Sequence, residues 1–370
     1  MMDYDVVIIG AGPAGCAAAY DLCAYKRHVL LLDKHEFPRE KACAGGLTPK
    51  TLKALRYSVE PVIKNVCSRM VVGKGMHQKV MFNSRHPICA MTIRSQFDAF
   101  CLEKTLKRGA SFHVAKTIDR IDETDAHVDV YTDKGSIRSK YLIGADGANS
   151  RVRKLTQAFN GIKKGFGIEG VLPMDKASKT EMELNFDGAV SGYGWVFPKD
   201  DHMNVGLYSS TGSEKRLKQK LIQYAKSRFG YDTVDRVKGY PLGTGGWNYT
   251  PRRNRIILAG DAAGLADPLL GEGIFNAVKS GQMAALAVDR VLPHETSVGP
   301  VYNDLISGIK RDLIVCYRTS RWFYQYPGVG YMAMTFFPVK CALLKGFAMG
   351  WTMSKIIKNF YHLPFKIPNI

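Results

Sequence analysis

The sequence predicts an α/β fold, α+β overall: a parallel nucleotide-binding sheet, an antiparallel sheet interleaved with it, and a helical C-terminal region. Three observations predict this over the 370 residues. A strand, a glycine-rich loop, a small-residue helix and a second strand open the chain. Two further strand-to-loop units recur at 141–154 and 254–281. Between them, stretches such as HMNVGLY alternate in the two-residue period of strands.

The opening unit reads DVVIIGAGPAGCAAAYDLCAYKRHVLLLD over residues 5–33. Val6 to Ile9 is a short β-branched run, as a buried parallel strand requires. Gly10, Gly12 and Gly15 follow at Gly-x-Gly-x-x-Gly spacing, then a helix from about Pro13 to Ala24 and a second strand ending at Asp33. Gly10 permits the tight turn, Gly12 lets a pyrophosphate approach the backbone, and Gly15 lets the helix pack on the sheet. The helix N-terminus offers free N–H groups to phosphate. Asp33 is placed to bind ribose hydroxyls. This is a Rossmann-like dinucleotide site, and the motif alone leaves FAD and NAD open.

Two more units narrow the choice. YLIGADGANSRVRK (141–154) places Asp146 after a strand and before a helix capped near Asn149 or Ser150. NRIILAGDAAGLADPLLGEGIFNAVKSG (254–281) places Asp261 at another strand end, with a helix starting near Gly273. Their order and spacing, with IRSQFD at 93–98, resemble the FAD-dependent family typified by para-hydroxybenzoate hydroxylase, over about residues 3–290. The resemblance implies FAD as cofactor. It implies a binding set of Gly10, Gly12, Pro13, Ala14, Gly15, Asp33, Lys34, Arg94, Asp146, Asp261, Gly271, Gly273 and Ile274. Arginine at 94 suits a diphosphate because its planar fork donates two hydrogen bonds. Backbone N–H groups from Gly271 to Ile274 suit the flavin pyrimidine edge, where a helix N-terminus stabilises negative charge. No second glycine-rich βαβ unit follows residue 40, so the electron source is expected to be external: NAD(P)H or a reduced carrier protein.

Two segments resemble one branch of that family. FPREKACAGGLTPKTLKAL (37–55) contains Lys41-Ala42-Cys43-Ala44-Gly45-Gly46, and YGWVFPK (193–199) crowds Tyr193, Trp195 and Phe197 onto one strand face before Pro198. Together they resemble the geranylgeranyl reductase group, with Ala44 standing where that group usually has glycine. The resemblance implies saturation of C=C bonds in a polyprenyl lipid. It implies a substrate wall of Tyr193, Trp195, Phe197, Pro198 and Gly271, with Cys43 and Tyr193 as catalytic candidates and Cys43, Ala44 and Gly45 also beside the cofactor. An aromatic stripe on a strand is more often core, and a cysteine more often a small buried hydrophobe. The main alternative is a flavin monooxygenase or halogenase acting on an aromatic or lipid substrate; halogenases carry a tryptophan-x-tryptophan-x-Ile-Pro segment. A lipid carrier that merely holds FAD is the non-enzymatic alternative.

The expected division is an FAD-binding domain from 1–68, 92–157 and 245–292, a substrate-binding sheet domain from 69–91 and 158–244, and a helical lid from 293–370. Residues 214–232 read as an amphipathic basic helix on that sheet. Tyr302, Leu305, Ile306, Ile309, Leu313 and Ile314 recur at helical spacing as one amphipathic helix. Residues 301–370 hold nine Lys/Arg and two Asp, and 339–361 mixes lysines with apolar residues. Such a tail either packs as a lid or lies in a membrane interface. Lys+Arg 52 against Asp+Glu 33 gives +19, compatible with an anionic membrane or a phosphorylated ligand. Nucleic acid is not expected. The eight cysteines show no metal-ligand spacing, so no metal is expected. The opening residues run directly into a strand without a signal peptide, and the apolar stretch 327–351 is cut by Pro338, Lys340 and Lys345. A cytoplasmic protein follows as the expectation, with peripheral contact on the inner membrane face as its variant.

Overall fold

Short apolar runs that end at glycine or aspartate form the central strands of the first sheet. The computed structural model describes residues 3–75, 77–174, 180–186, 191–211 and 214–360. β1 (Tyr4–Ile9), α1 (Pro13–Ala24) and β2 (Val29–Asp33) lie where the sequence places them. Val6 to Ile9 and Val29 to Leu32 are buried on both faces, which explains their unbroken apolar character. The chain then makes β3 (Gly46–Leu47), α2 (Pro49–Ala54), β4 (Ile63–Cys67), β5 (Arg69–Lys74), β6 (Gln78–Asn83) and β7 (Cys89–Thr92). α3 (Arg94–Lys107) leads to β8 (Ser111–Val114), which pairs parallel with β2. β9 (Ile118–Glu123), β10 (Val128–Thr132) and β11 (Gly135–Gly144) form a meander whose last strand joins β1 in parallel. The first sheet runs β8-β2-β1-β11-β10-β9, with a later strand also paired to β11.

After α4 (Arg151–Thr156), the chain builds a second sheet from β12 (Lys163–Pro173), β13 (Met182–Asn185), β14 (Gly192–Pro198) and β15 (His202–Ser209), then α5 (Glu214–Phe229) and β16 (Asp235–Thr244). Its order is β16-β12-β15-β14-β13-β5-β6. The separated pieces do join in one sheet. One pair departs from the antiparallel expectation: β5 and β13 run parallel. They come from distant parts of the chain, so no hairpin dictates their direction. β7 pairs instead with β3 and β4 in a small third sheet.

The second sheet is covered on both faces. Leu217, Leu221, Tyr224 and Ala225 of α5 pack with Val196, Val205 and Leu207. Tyr193, Trp195 and Tyr208 face the opposite way, into a cluster with Phe186, Phe323 and Tyr331.

β17 (Ile256–Leu258) pairs with β11, and α6 (Ile274–Val291) packs across α1, where Gly281 lets the two helices approach closely. The tail is helical: α7 (Val298–Leu305), α8 (Ser307–Gln325), α9 (Pro327–Thr335), α10 (Phe337–Met349) and α11 (Met353–Phe360). The helix expected to run continuously through Ile306 is broken there between α7 and α8. The predicted apolar face is nonetheless kept, since Tyr302, Ile306, Ile309 and Leu313 are all buried. Tyr302 donates from its hydroxyl to the Leu258 carbonyl at 2.9 Å, fastening α7 to β17. Among the described residues no single helix is long and apolar enough to cross a membrane, and α9 and α10 meet at a 78° bend. Residues 361–370 of the expected lid lie outside the described residues.

Candidate functional site

Three loops from the first sheet converge at the C-terminal ends of its strands. The glycine loop 10–15 leads into α1, whose N-cap is Gly12 with no side-chain cap and no acidic residue in the first turn. Asp33, at the end of β2, accepts from the Ala11 N–H at 2.9 Å and the His35 N–H at 3.0 Å. It therefore ties the glycine loop to the second strand. Lys34 is exposed beside it. Asp146 caps α4 through one oxygen, accepting from the N–H groups of Arg151 and Val152. Its other oxygen, Oδ1, is buried without a partner. Burial accordingly pushes its pKa up.

The third loop carries Asp261. Its Oδ2 accepts from the Gly243 N–H at 3.1 Å, and Oδ1 points at Gly273, the uncapped N-cap of α6. Burial raises its pKa. Arg153, which sequence reasoning did not single out, staples these loops together. Its guanidinium donates to the carbonyls of Ala262 and Ala148, each at 2.7 Å. Three tyrosines from different elements then grip successive carbonyls of the loop before α6. Tyr208 donates to Pro268 at 3.0 Å, Tyr324 to Leu269, and Tyr193 to Leu270 at 2.5 Å. Asp267 closes that loop from inside by accepting from the Leu269 N–H at 2.7 Å, with its pKa pushed up to about 6, chiefly by burial. Gly271 has positive φ at the turn into the helix, and Ile274 is its first, buried residue.

The Cys43 loop lies between this frame and the second sheet. Arg94 opens α3 as expected, but its fork is engaged by Asp98 at 2.8 and 2.7 Å. The Cys43 side chain is close enough to interact with it electrostatically. Burial pulls the Arg94 pKa down, and the Asp98 charge together with the smaller contributions of Cys43 and of the hydrogen bonds to Asp98 more than reverses this. Cys43 donates its N–H to Glu169 of β12 at 2.9 Å, and the Ala44 carbonyl accepts from the Lys199 ammonium at 2.7 Å. Gly45 bridges to β7 by accepting from the Thr92 N–H. Lys41 sits 2.8 Å from the Tyr240 ring centroid, and burial, then the Arg94 charge, lower its pKa to about 7. Lys199 is 3% exposed, and burial lowers its pKa to about 8. Glu169 is held above the usual carboxylate range, again chiefly by burial.

Tyr193 and Trp195 are buried, and Phe197 is half-buried on the same cluster. Ring centroids lie 6.3 Å apart for Tyr193–Trp195, 5.6 Å for Tyr193–Tyr208 and 4.8 Å for Phe186–Phe323. The expected shared face is thus present, and helices α8 and α9 complete it. Pro198 ends the strand, with its carbonyl facing Asn65. The Tyr193 hydroxyl, expected to be catalytic, is spent on Leu270, and burial pushes its pKa further up.

Glu169, Asn204, Tyr208 and Tyr324 lay outside the sequence reading. A hint existed for the first two: each is a polar residue set among apolar residues and glycine, in GIEGV and MNVGL.

The site fits FAD. Two helix N-termini are left without side-chain caps, Asp146 presents a buried orphan oxygen, and a Cβ built on Gly12 meets nothing closer than Arg39 Nη2 at 3.6 Å. That side of the loop is free for a pyrophosphate.

Comparison with known proteins agrees. The FAD binding domain family model matches residues 3–292. An uncharacterized protein of Methanosarcina barkeri is 32% identical over 92% of this chain and 89% of its own. Geranylgeranyl diphosphate reductase of Rhodobacter capsulatus is 28% identical over 77% of this chain and 75% of its own. Among solved structures, a geranylgeranyl bacteriochlorophyll reductase-like protein of Thermoplasma acidophilum aligns with TM-score 0.77 and 21% identity, covering 98% of this chain and all of that one. A flavin-dependent brominase aligns with TM-score 0.72 and 18% identity over 97% and 98% of the two chains, so the fold alone does not separate reduction from halogenation. Motifs, geometry and relatives together place the chain in the FAD binding domain family of FAD-dependent oxidoreductases, with geranylgeranyl reductase-like relatives.

Proposed function

We propose that this oxidoreductase saturates C=C bonds of a polyprenyl chain, of geranylgeranyl type, laid against Tyr193, Trp195 and Phe197. The observation that carries the reading is the contact between the aromatic strand and the Cys43 loop. The Phe197 ring packs on Gly46 so tightly that a Cβ there would lie 2.7 Å from it. A dry aromatic wall therefore ends at the loop beside the cofactor frame, where an alkene could lie flat. FAD, held by the glycine loop, Asp33, Asp146, Asp261 and the N-terminus of α6, supplies the hydride when bound and reduced.

The chain's own task is to hold the lipid and deliver a proton. One alkene carbon takes the hydride and the other takes the proton of the Cys43 thiol, so the π bond becomes two C–H bonds. The resulting thiolate lies beside the Arg94 guanidinium, which stabilises it, and water returns the proton. Tyr193 and Gly271 serve as wall and loop anchor. Electrons arrive from NAD(P)H or a reduced carrier protein that docks transiently.

The test reduces the FAD-loaded protein without oxygen and adds a geranylgeranyl lipid. We expect a gain of about two mass units per bond, and Cys43→Ala to lower that rate about 100-fold while FAD absorbance is kept. A gain of about sixteen units, only in air, would establish oxygenation instead.

The tail also favours a peripheral place on an anionic membrane. Trp322, Tyr326, Val329, Met332, Phe336 and Phe337 project outward from α8 to α10, Met332 63% exposed and Phe336 61%. After Asp312 the sequence contains no acidic residue and seven Lys/Arg. Apolar insertion and phosphate attraction then act together. Phe336→Ser with Phe337→Ser should lower co-sedimentation with phosphatidylglycerol vesicles about tenfold, and added salt should lower it for the parent too.

A further inference from the structure

We propose that Trp195, Asn204, Glu169 and Lys199 are positioning residues: the second sheet uses them to hold backbone groups of two successive residues, the Cys43 N–H and the Ala44 carbonyl. The proposal rests on Cys43 as proton donor. It assigns the 193–199 segment a second task besides walling the lipid.

The relay is built on one face of three neighbouring strands. Trp195 on β14 and Glu169 on β12 both lie opposite Gly206 of β15. The indole lies across that glycine, where a Cβ would stand 2.1 Å from Trp195 Cζ2. This lets Nε1–H donate to Asn204 Oδ1 at 2.7 Å. An indole N–H only donates, so the Asn204 oxygen must face it and the amide nitrogen must face away. That nitrogen donates to Glu169 Oε2 at 3.2 Å, and Glu169 Oε1 accepts from the Cys43 N–H at 2.9 Å. Every polar group in the chain Trp195–Asn204–Glu169–Cys43 thus has its orientation set by the one before.

Lys199 makes the second attachment. It follows the strand-ending Pro198 and reaches the Ala44 carbonyl at 2.7 Å. Among the described residues no carboxylate forms an ion pair with this buried ammonium. Burying an unpaired charge to hold a loop is costly, and an apolar contact would fill the space more cheaply. What the charge provides is direction: it fixes the Ala44–Gly45 peptide, one residue beyond Cys43, so the thiol is presented at one place relative to the aromatic wall. This also explains why the Lys-x-Cys-x-Gly-Gly loop and the Tyr-x-Trp-x-Phe-Pro-Lys segment occur in the same chain. They are the two halves of one clamp.

The test uses the FAD-loaded full chain and two readouts. The first is the maleimide labelling rate of Cys43, followed on its own peptide by mass, because other cysteines react too. The second is kcat and KM for the geranylgeranyl lipid. Trp195→Phe keeps an aromatic ring, removes the donor and gives up the volume of the second indole ring. We expect it to speed Cys43 labelling about tenfold and lower kcat about tenfold, as for loss of an orienting bond, with KM rising as well because the lipid loses part of its wall. Glu169→Gln should act similarly, because its amide meets the Asn204 amide donor to donor. Asn204→Asp alone sets two carboxylates against each other. The double variant Glu169→Gln/Asn204→Asp restores donor to acceptor at every step, so it should recover most of the kcat and the slow labelling. Recovery supports the relay even if single variants fold poorly. Wild-type labelling and kcat in Trp195→Phe, or a double variant no better than Asn204→Asp, would overturn it. If the parent reduces no lipid while labelling still responds to Trp195→Phe and the double variant, the relay stands and the reductase reading falls.

Discussion

Gly12→Ala should yield a folded chain that has lost FAD, whereas Gly15→Ala should damage the fold itself. The two glycines belong to one motif but serve the different ends the sequence assigns them, pyrophosphate approach and helix packing. Their surroundings differ. A Cβ on Gly15 would lie 1.8 Å from the Gly10 carbonyl oxygen, a backbone atom that cannot move without dragging the strand-to-helix turn. We expect a loss of about 3 kcal/mol in stability even without cofactor. A Cβ on Gly12 meets no protein atom closer than 3.6 Å, so the apoprotein should melt as the parent does. The methyl instead occupies the side a pyrophosphate would approach, and FAD affinity should fall about 100-fold, or ~3 kcal/mol. Urea titration of the apoproteins and flavin fluorescence titration separate the two effects. Equal apoprotein stabilities for the two variants would show that the turn is softer than the packing implies.

Lys199→Met should make the apoprotein more stable at neutral pH. The buried ammonium has its pKa lowered to about 8 from an ordinary value of 10.5. The unfolded chain then binds the proton more tightly, so between about pH 8 and 10.5 it carries more protons than the folded one. Stability from this group therefore climbs with pH across that window, and below it the full penalty stands, about 3 kcal/mol. Methionine removes the penalty and forfeits the bond to Ala44, worth about 1 kcal/mol. The net expectation is a gain near 2 kcal/mol at pH 7 that turns into a small loss above about pH 10.5. Lys41 shifts in the same direction, so the comparison is the parent minus the variant at each pH. A difference that does not vary with pH would show that Lys199 is charged at no cost. If the clamp is real, this more stable variant will also be slower, because nothing then fixes the Ala44 carbonyl.

The flavin frame was legible because it is local. Strand, glycine spacing, helix and terminal acid lie within residues 5–33, and backbone sterics dictate them; the helix runs from Pro13 to Ala24 as its composition demands. The start of α6 at Gly273 was legible for the same reason. The alternation of Tyr193, Trp195 and Phe197 fixed a shared face, because the strand period is two whatever lies opposite. It could not say what that face meets. The rings pack on α8 and α9, more than a hundred residues onward, and the other face is sealed by α5. The break at Ile306 was invisible too, since the apolar period continues through it.

The sequence by itself determined the cofactor class, the strand faces and the two halves of the clamp, each written in contiguous residues. Only the tertiary structure decided that the halves meet, that the Tyr193 hydroxyl is committed to Leu270, and that Cys43 leans on a carboxylate 126 residues away. Polar contacts between strands carry no sequence period. They depend on which strands become neighbours, and that is settled by the packing of the whole chain.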